Sequence, residues 1–377
     1  MTSLEPATTD PLNSSSSSYD YYYTSEPGPE TIFVPVLWSL IIGVGVITNC
    51  LVVYVVLFQM KMSTVTNYYI VNLALTDITF LLFCVPFTTL TFTLYGFLTE
   101  GICRFMVYVQ QASVHATCMT LTVMSADRYF AIVYPIKSMR YRTRRLSLVL
   151  NLGVWILSYI MAAPAAIFVG VRSHWYYVDY KYSCVETFDT HATKSVYYTY
   201  VFVTTYILPL VIICACYSLL LHAMWTKQLT ANTSFRARKN LQQKKRTTRM
   251  LLVVVFLFFL FWLPTHVFNC WDRYVPGGVP YHINAVYYLR IIAYSLAYSN
   301  SCVNPFVYAF MGNNFRASFR KAFPCCFRRQ IGARNSTRRL QRRGTEDGGT
   351  RVTVLAPRMD VQMNVNNNMA PIDQAAL

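Results

Sequence analysis

Long apolar runs, each about the length of a bilayer crossing and separated by short polar stretches, set the pattern of this chain. A helix needs roughly 20 apolar residues to cross about 30 Å of hydrocarbon. On that scale spans are predicted at residues 32–58, 68–94, 103–134, 146–170, 197–224, 246–271 and 283–310, the last interrupted by polar residues. The pattern predicts an all-α fold, a seven-transmembrane helix bundle. Beyond it, Phe315, Arg316, Phe319, Arg320 and Phe323 place apolar and basic groups at helical spacing, which predicts a short amphipathic helix on the membrane surface.

The segments outside the spans differ in character. Residues 1–31 hold five acids and no Lys or Arg in a Ser/Tyr-rich stretch, a solvated, disordered tail by composition. It has neither the basic start nor the apolar core of a signal peptide, so the first span is expected to direct insertion. Residues 32–310 form the bundle. Residues 311–326 form the surface helix, ending at Cys325 and Cys326, which suit palmitoylation as a lipid anchor. Residues 327–377 read as a second disordered tail, with Ser336, Thr337 and Thr345 open to phosphorylation.

Charge gives the topology. The chain is 54% hydrophobic, only 13% charged and carries a formal net charge of +17. Lys61, Lys137, Arg140, Arg142, Arg144, Arg145, Lys227, Arg236, Arg238, Lys239, Lys244, Lys245 and Arg246, then the residues from Arg316 onward, fall in one alternate set of loops. Basic loops face the cytoplasm, so the N-terminus is expected outside and the C-terminus inside, in a multi-pass protein of the plasma membrane. Attraction to anionic lipid then accounts for the positive charge without nucleic acid. Of the sequons at Asn13, Asn232 and Asn335, only Asn13 lies on the outer side, as an expected glycosylation site. The eleven cysteines are scattered rather than spaced as a metal centre.

Other membrane functions lack their signatures. No paired broken helices mark a transporter, no filter sequence or arginine stripe marks a voltage-gated channel, and the ionisable residues at depth are too dispersed for catalysis. An intramembrane charge is costly, and is a functional hypothesis by default. Asp77, midway along the second span, reads either as a satisfied structural carboxylate or as one of an oxygen cluster with Thr117, Asn300, Ser301 and Asn304. Such oxygens suit a hard cation. At the end of the third span, Asp127 stands beside Arg128 and Tyr129, where a carboxylate can hold a guanidinium until a partner takes it. Pro209, Pro264 and Pro305 interrupt helices and mark bends.

Taken together, Asn49, Leu73 to Asp77, Asp127-Arg128-Tyr129, Trp155, Pro209 with Tyr217, Phe258 through Pro264, and Asn304-Pro305 through Tyr308 resemble the motif set of rhodopsin-like G-protein-coupled receptors, in order, over about residues 32–323. The resemblance implies a receptor rather than an enzyme, with a heterotrimeric G protein, arrestin and receptor kinases as inner partners. It implies that Asp127 restrains Arg128, that Trp262 and Phe258 report ligand binding to the sixth span, and that Tyr217 and Tyr308 rearrange as that helix moves. Tyr129, Ile136, Pro264, Asn304 and Pro305 belong to the same coupling and switch set. It implies an allosteric sodium ion at Asp77, Thr117, Asn300 and Asn304, and no other cofactor; Thr117 stands where a Ser is commoner. It also implies a disulfide between Cys103 and Cys184.

The ligand is approached through the third span. Where amine receptors carry an Asp, seven residues after Cys103, this chain has Gln110, followed by Gln111. A neutral amide both donates and accepts, which suits a peptide carboxamide better than an ammonium, although these glutamines also suit bonding to a neighbouring helix. Glu100, Asp179, Glu186, Asp189 and Asp272, with Trp175, Tyr176, Tyr177, Phe188, Tyr294 and Tyr298, offer acids and aromatic walls to a peptide ending in Arg and Phe. The runs Thr64 to Ile70, Thr76 to Leu82, Cys84 to Thr88, Tyr108 through Cys118 and Tyr298 to Ser301 are similar to kisspeptin receptors. That likeness implies an amidated neuropeptide as ligand and Gq-class signalling through phospholipase C and calcium. A galanin- or allatostatin-type receptor is the alternative, and a seven-helix transporter or channel a distant one. Phe97 departs from the Trp usual in the first extracellular loop.

Overall fold

The structure is a computed structural model that describes residues 30–323 apart from 61, 63, 94–98, 177–178, 231–234, 276–278 and 281–282. For residues 30, 91–93, 173–176, 179–183, 226–230, 235–241, 244 and 313–314 it describes the backbone alone. Asn13, Lys61, Phe97, Tyr177, Asn232, Asn335, Cys325 and Cys326 therefore lie outside the described residues, as do the side chains of Trp175, Tyr176 and Asp179.

The first span is α1 (Glu30–Tyr54), continued by a wide π-type turn over Val55–Gln59. The second comprises α2 (Val65–Thr79), a wide turn over Phe80–Cys84, and α3 (Val85–Thr93). The third is α4 (Glu100–Val133), followed by the short α5 (Pro135–Tyr141), and the fourth is α6 (Arg144–Ile167). A hairpin of β1 (Val169–Tyr176) and antiparallel β2 (Asp179–Glu186) precedes the fifth span. That span joins α7 (His191–Phe202) to α8 (Leu208–Thr230) through a wide turn over Val203–Ile207. The sixth and seventh are α9 (Phe235–Tyr274) and α10 (Asn284–Met311), and α11 (Asn313–Ala322) closes the described chain.

Helix starts follow local chemistry. Thr99, Thr143 and Thr190 each stand in extended backbone and accept a hydrogen bond from the amide three residues on, which caps the third, fourth and fifth spans. The fifth span starts at His191, six residues before the predicted 197, because the cap and first turns are too polar to register as a crossing. The hairpin was not expected from the sequence. Its register sets Cys184 opposite Val171, and Cys184 is bonded to Cys103 at the start of the third span, with 5.7 Å between Cα atoms.

By length and composition, five described helices are apolar enough to cross a bilayer: Thr31–Gln59, Val65–Leu90, Arg144–Ile167, His191–Trp225 and Lys245–Tyr274. The third and seventh spans are as long but more polar, because protein rather than lipid encloses much of them. Ser113, His115, Thr117, Thr120 and Ser125 of the third, and Asn300, Ser301 and Asn304 of the seventh, are buried. Outward faces are the reverse: Leu148, Val149, Leu152, Ile156 and Ile160 of the fourth span are exposed. Such an apolar surface is stable in lipid rather than water.

Buried polar groups tie the spans together. Asn72 donates to the Thr120 hydroxyl at 2.7 Å and accepts from the Trp155 indole at 3.0 Å, joining spans two, three and four. Asn49 donates to the carbonyls of Gly45 (2.9 Å) and Ser301 (2.8 Å), joining spans one and seven, which the Trp38 indole reinforces by donating to Ser295 at 2.9 Å. In an apolar surround each such bond satisfies a group that would otherwise be left unpaired.

Candidate functional site

A cavity of about 660 Å³ opens at the hairpin end of the bundle. Gln110 and Gln111 line it from span three, Glu186 from β2, Asp272 from span six, and Tyr294 and Tyr298 from span seven. The expectation thus gathers six of its seven proposed ligand residues. Glu100 is not among the lining residues, and it pairs with Arg104 one turn along the same helix, at 2.5 Å.

The rim is charged with both signs. The Tyr198 hydroxyl donates to Glu186, and Asp272 faces Lys194 at 3.8 Å. Burial among the pocket walls pushes the Glu186 carboxyl above the usual carboxylate range; Tyr198, Lys194 and Arg290 act in the opposite direction, and Asp272 adds to the rise. Arg290 lines the cavity and donates to the Tyr294 hydroxyl at 3.1 Å. Sequence reading did not single it out. A cation inside the seventh apolar run, one turn before Tyr294, was the available signal. Tyr294 in turn stacks on Tyr298, with ring centroids 6.4 Å apart.

Trp262 lies at the cavity's inner limit, in ring contact with Phe258 (6.0 Å), Phe80 (6.1 Å) and His266 (6.2 Å). Its indole N–H has no hydrogen-bond partner among the described residues, so packing alone holds the ring. Pro264, two residues on, lies within the helix and supplies no amide to its ladder. Trp262 thus stands next to the place where span six lacks a ladder bond. His115 also bridges toward span five, its Nε2 being 3.2 Å from the Thr204 hydroxyl.

Below, the Asp77 carboxylate accepts from the Asn304 amide at 2.8 Å, and Ser301 lies beside it. The Asn300 side-chain oxygen is buried without a partner among the described residues. Thr117 bonds to the Thr76 hydroxyl at 3.3 Å and the Ser113 carbonyl at 3.1 Å. The Asp77 carboxylate with the Ser301 hydroxyl beside it is a donor type that suits a hard cation. Pro305 and Tyr308 are buried beyond it.

At the far end, Arg128 donates to Asp127 at 2.6 Å and to the Thr66 hydroxyl. Asp127 also accepts two bonds from Arg142. Tyr217 is buried, whereas Tyr129 turns outward to make edge contacts with Phe130 (5.3 Å) and Tyr134 (6.0 Å). Ile136, on α5, is 80% exposed.

Residues 48–308 match the family described as "7 transmembrane receptor (rhodopsin family)". The chain is 34% identical over 304 residues to G-protein coupled receptor 54 of Oreochromis niloticus, covering 79% of this chain and 80% of that one. It is 35% identical over 320 residues to the KiSS-1 receptor of Homo sapiens, covering 80% and 78%. It is 36% identical over 303 residues to galanin receptor type 1 of Rattus norvegicus, covering 79% and 84%. A buried Asp-Arg pair lies at one end, a lined cavity at the other and a proline-bearing helix between them, and with this match the chain belongs to the rhodopsin family of seven-transmembrane G-protein-coupled receptors.

Proposed function

We propose that this chain is a plasma-membrane receptor for an amidated Arg-Phe peptide of the kisspeptin type, with its N-terminus outside, its C-terminus inside, and signalling through a Gq-class G protein to phospholipase C and calcium. The observation that carries the reading is the composition of the cavity. Two neutral amides, Gln110 and Gln111, line it together with the rim acids Glu186 and Asp272, and Tyr294 and Tyr298 supply aromatic wall. A carboxamide can both give and receive hydrogen bonds at a glutamine, an arginine side chain is matched by the acids, and a phenylalanine by the tyrosines.

Orientation is supported by Lys137, Arg140, Arg142, Arg144 and Arg145, which cluster at the Arg128 end. On this reading ligand contact at the hairpin end shifts Trp262, the inner segment of span six that precedes Pro264 swings, and Arg128 passes from Asp127 to the G protein. Arrestin and receptor kinases would use the same inner face. A sodium ion held by Asp77, with Asn300, Asn304 and Thr117 around it, would add positive charge at that cluster, while Asn304 keeps span seven bonded to span two. A galanin-type ligand is the second reading, favoured by the 36% identity to the rat galanin receptor.

The test is calcium release from cells expressing the receptor, screened against amidated Arg-Phe peptides, their free-acid forms and galanin. Response to the amides is expected, and Gln110→Ala should weaken an amide far more than its free acid. Loss of one partner of a buried amide bond costs about 1–3 kcal/mol, up to roughly a hundredfold in potency. A response to galanin alone, or equal losses for amide and acid, would overturn the reading.

A further inference from the structure

We propose that Arg142 is a positioning residue for G-protein activation: by keeping the Asp127 carboxylate paired, it makes Arg128 easier to release. The proposal rests on the reading of Arg128 as the residue that serves the inner partner. The sequence marks Arg142 only as one of several basic loop residues. In the structure it clasps a buried carboxylate. Its Nε donates to Asp127 Oδ1 at 2.7 Å and its Nη2 to Oδ2 at 3.0 Å, while Arg128 reaches the same Oδ2 at 2.6 Å. One carboxylate is thus shared by two guanidiniums, and the planar two-point contact belongs to Arg142.

The arginine is held for this role by its backbone. Arg142 caps the C-terminal end of α5, its amide bonding to the Ser138 carbonyl at 2.8 Å, and the next residue, Thr143, caps span four. Its side chain therefore approaches span three from a fixed corner between two helices. Asp127 is enclosed, with 6% of its side chain exposed, whereas Arg142 retains 26%. Tyr69 of span two lies near the same carboxylate and both arginines.

The consequence follows from the cost of an uncompensated charge. A buried carboxylate that loses its only cation is strongly destabilised, whereas one that keeps a two-point guanidinium is not. With Arg142 in place, Arg128 can leave without stranding Asp127. Without it, Arg128 becomes the sole counter-charge and is held more tightly. The same bond ties span three to α5, on which Ile136, Met139 and Tyr141 stand exposed.

The experiment uses the full-length receptor in membranes, reading nucleotide exchange on Gq-, Gi- and Gs-class heterotrimers with and without an amidated Arg-Phe peptide. Arg142→Gln should lower exchange about tenfold on whichever heterotrimer the parent drives. In an Asp127→Asn background the same change should do nothing further, because the carboxylate whose stranding it would cause is gone. Arg142→Lys, which keeps the charge and loses the two-point contact, should fall between. Exchange in Arg142→Gln equal to or above the parent overturns the proposal, as does an equal fall in the Asp127→Asn background. Should Arg142→Gln fail to reach the membrane, Arg142→Lys decides, and parental exchange in it overturns the proposal. Arg128→Ala separates the two levels: full exchange in that variant sinks the assignment of Arg128 itself, whereas its silence beside an unaffected Arg142→Gln sinks only the role of Arg142.

Discussion

Replacing Gly45 by Ala adds one methyl group where spans one, two and seven meet, and the structure fixes what it would strike. A Cβ there would lie 2.4 Å from Leu81 Cδ1 and 2.8 Å from Cys302 Sγ. Carbon atoms pack at about 3.5–4.0 Å, so a neighbour must retreat by about 1 Å. Leu81 is fully buried, and Cys302 is buried and bonded to the Ile41 carbonyl at 3.2 Å, so neither has open space to enter. Overpacking of this kind costs about 1–3 kcal/mol, which at about 2–4 °C per kcal/mol lowers the melting temperature by roughly 2–12 °C. Thermal unfolding of the detergent-solubilised receptor measures it. In a Leu81→Ala background, which empties the struck position, Gly45→Ala should cost distinctly less than it does alone. An unchanged melting temperature, or strictly additive losses, would refute the packing argument.

Two further outcomes are expected. Cys103→Ser and Cys184→Ser should each abolish peptide binding at the cell surface, and the double variant should lose nothing more, since either change frees β2 from span three; two separate, additive defects would show that the bond is not what matters. Because the Glu186 carboxyl is held above its usual range, a cationic peptide side chain should bind fully above that raised pKa and progressively less as pH falls through it, while an ordinary glutamate is still ionised. Glu186→Gln should weaken binding by roughly tenfold and flatten the pH profile; the same slope in that variant would locate the titration elsewhere.

The spans were legible because lipid leaves the backbone few options and prints their length on the sequence. What escaped was whatever lipid does not touch. The first turns of span five, from His191, are polar, and the hairpin of Val169–Tyr176 with Asp179–Glu186, tied to Cys103, gives little local sign. At the site, residue type and topology pointed to Gln110, Asp272 and Tyr294, which line one cavity, and to Glu100, which is paired with the neighbouring Arg104. A loop arginine reads the same whether it is solvated or clasps a carboxylate, so Arg142 passed as a topology charge. Arg246 is similar, donating at 2.7 Å to the Met311 carbonyl at the end of span seven.

The wide turns at Val55–Gln59, Phe80–Cys84 and Val203–Ile207 bear on how this chain should be aligned with its relatives. A turn of this type takes in about one residue more than an α-turn while leaving the helix phase on either side nearly in step. A relative with a plain α-helix there would present the same inward face with one residue fewer. A single-residue gap inside a membrane span, ordinarily treated as an alignment error, would at Phe80–Cys84 and Val203–Ile207 keep Phe80 and Tyr206 facing their counterparts. Between Val203 and Leu208, evolution has a point where a span can gain or lose a residue without turning its ligand-facing side toward lipid.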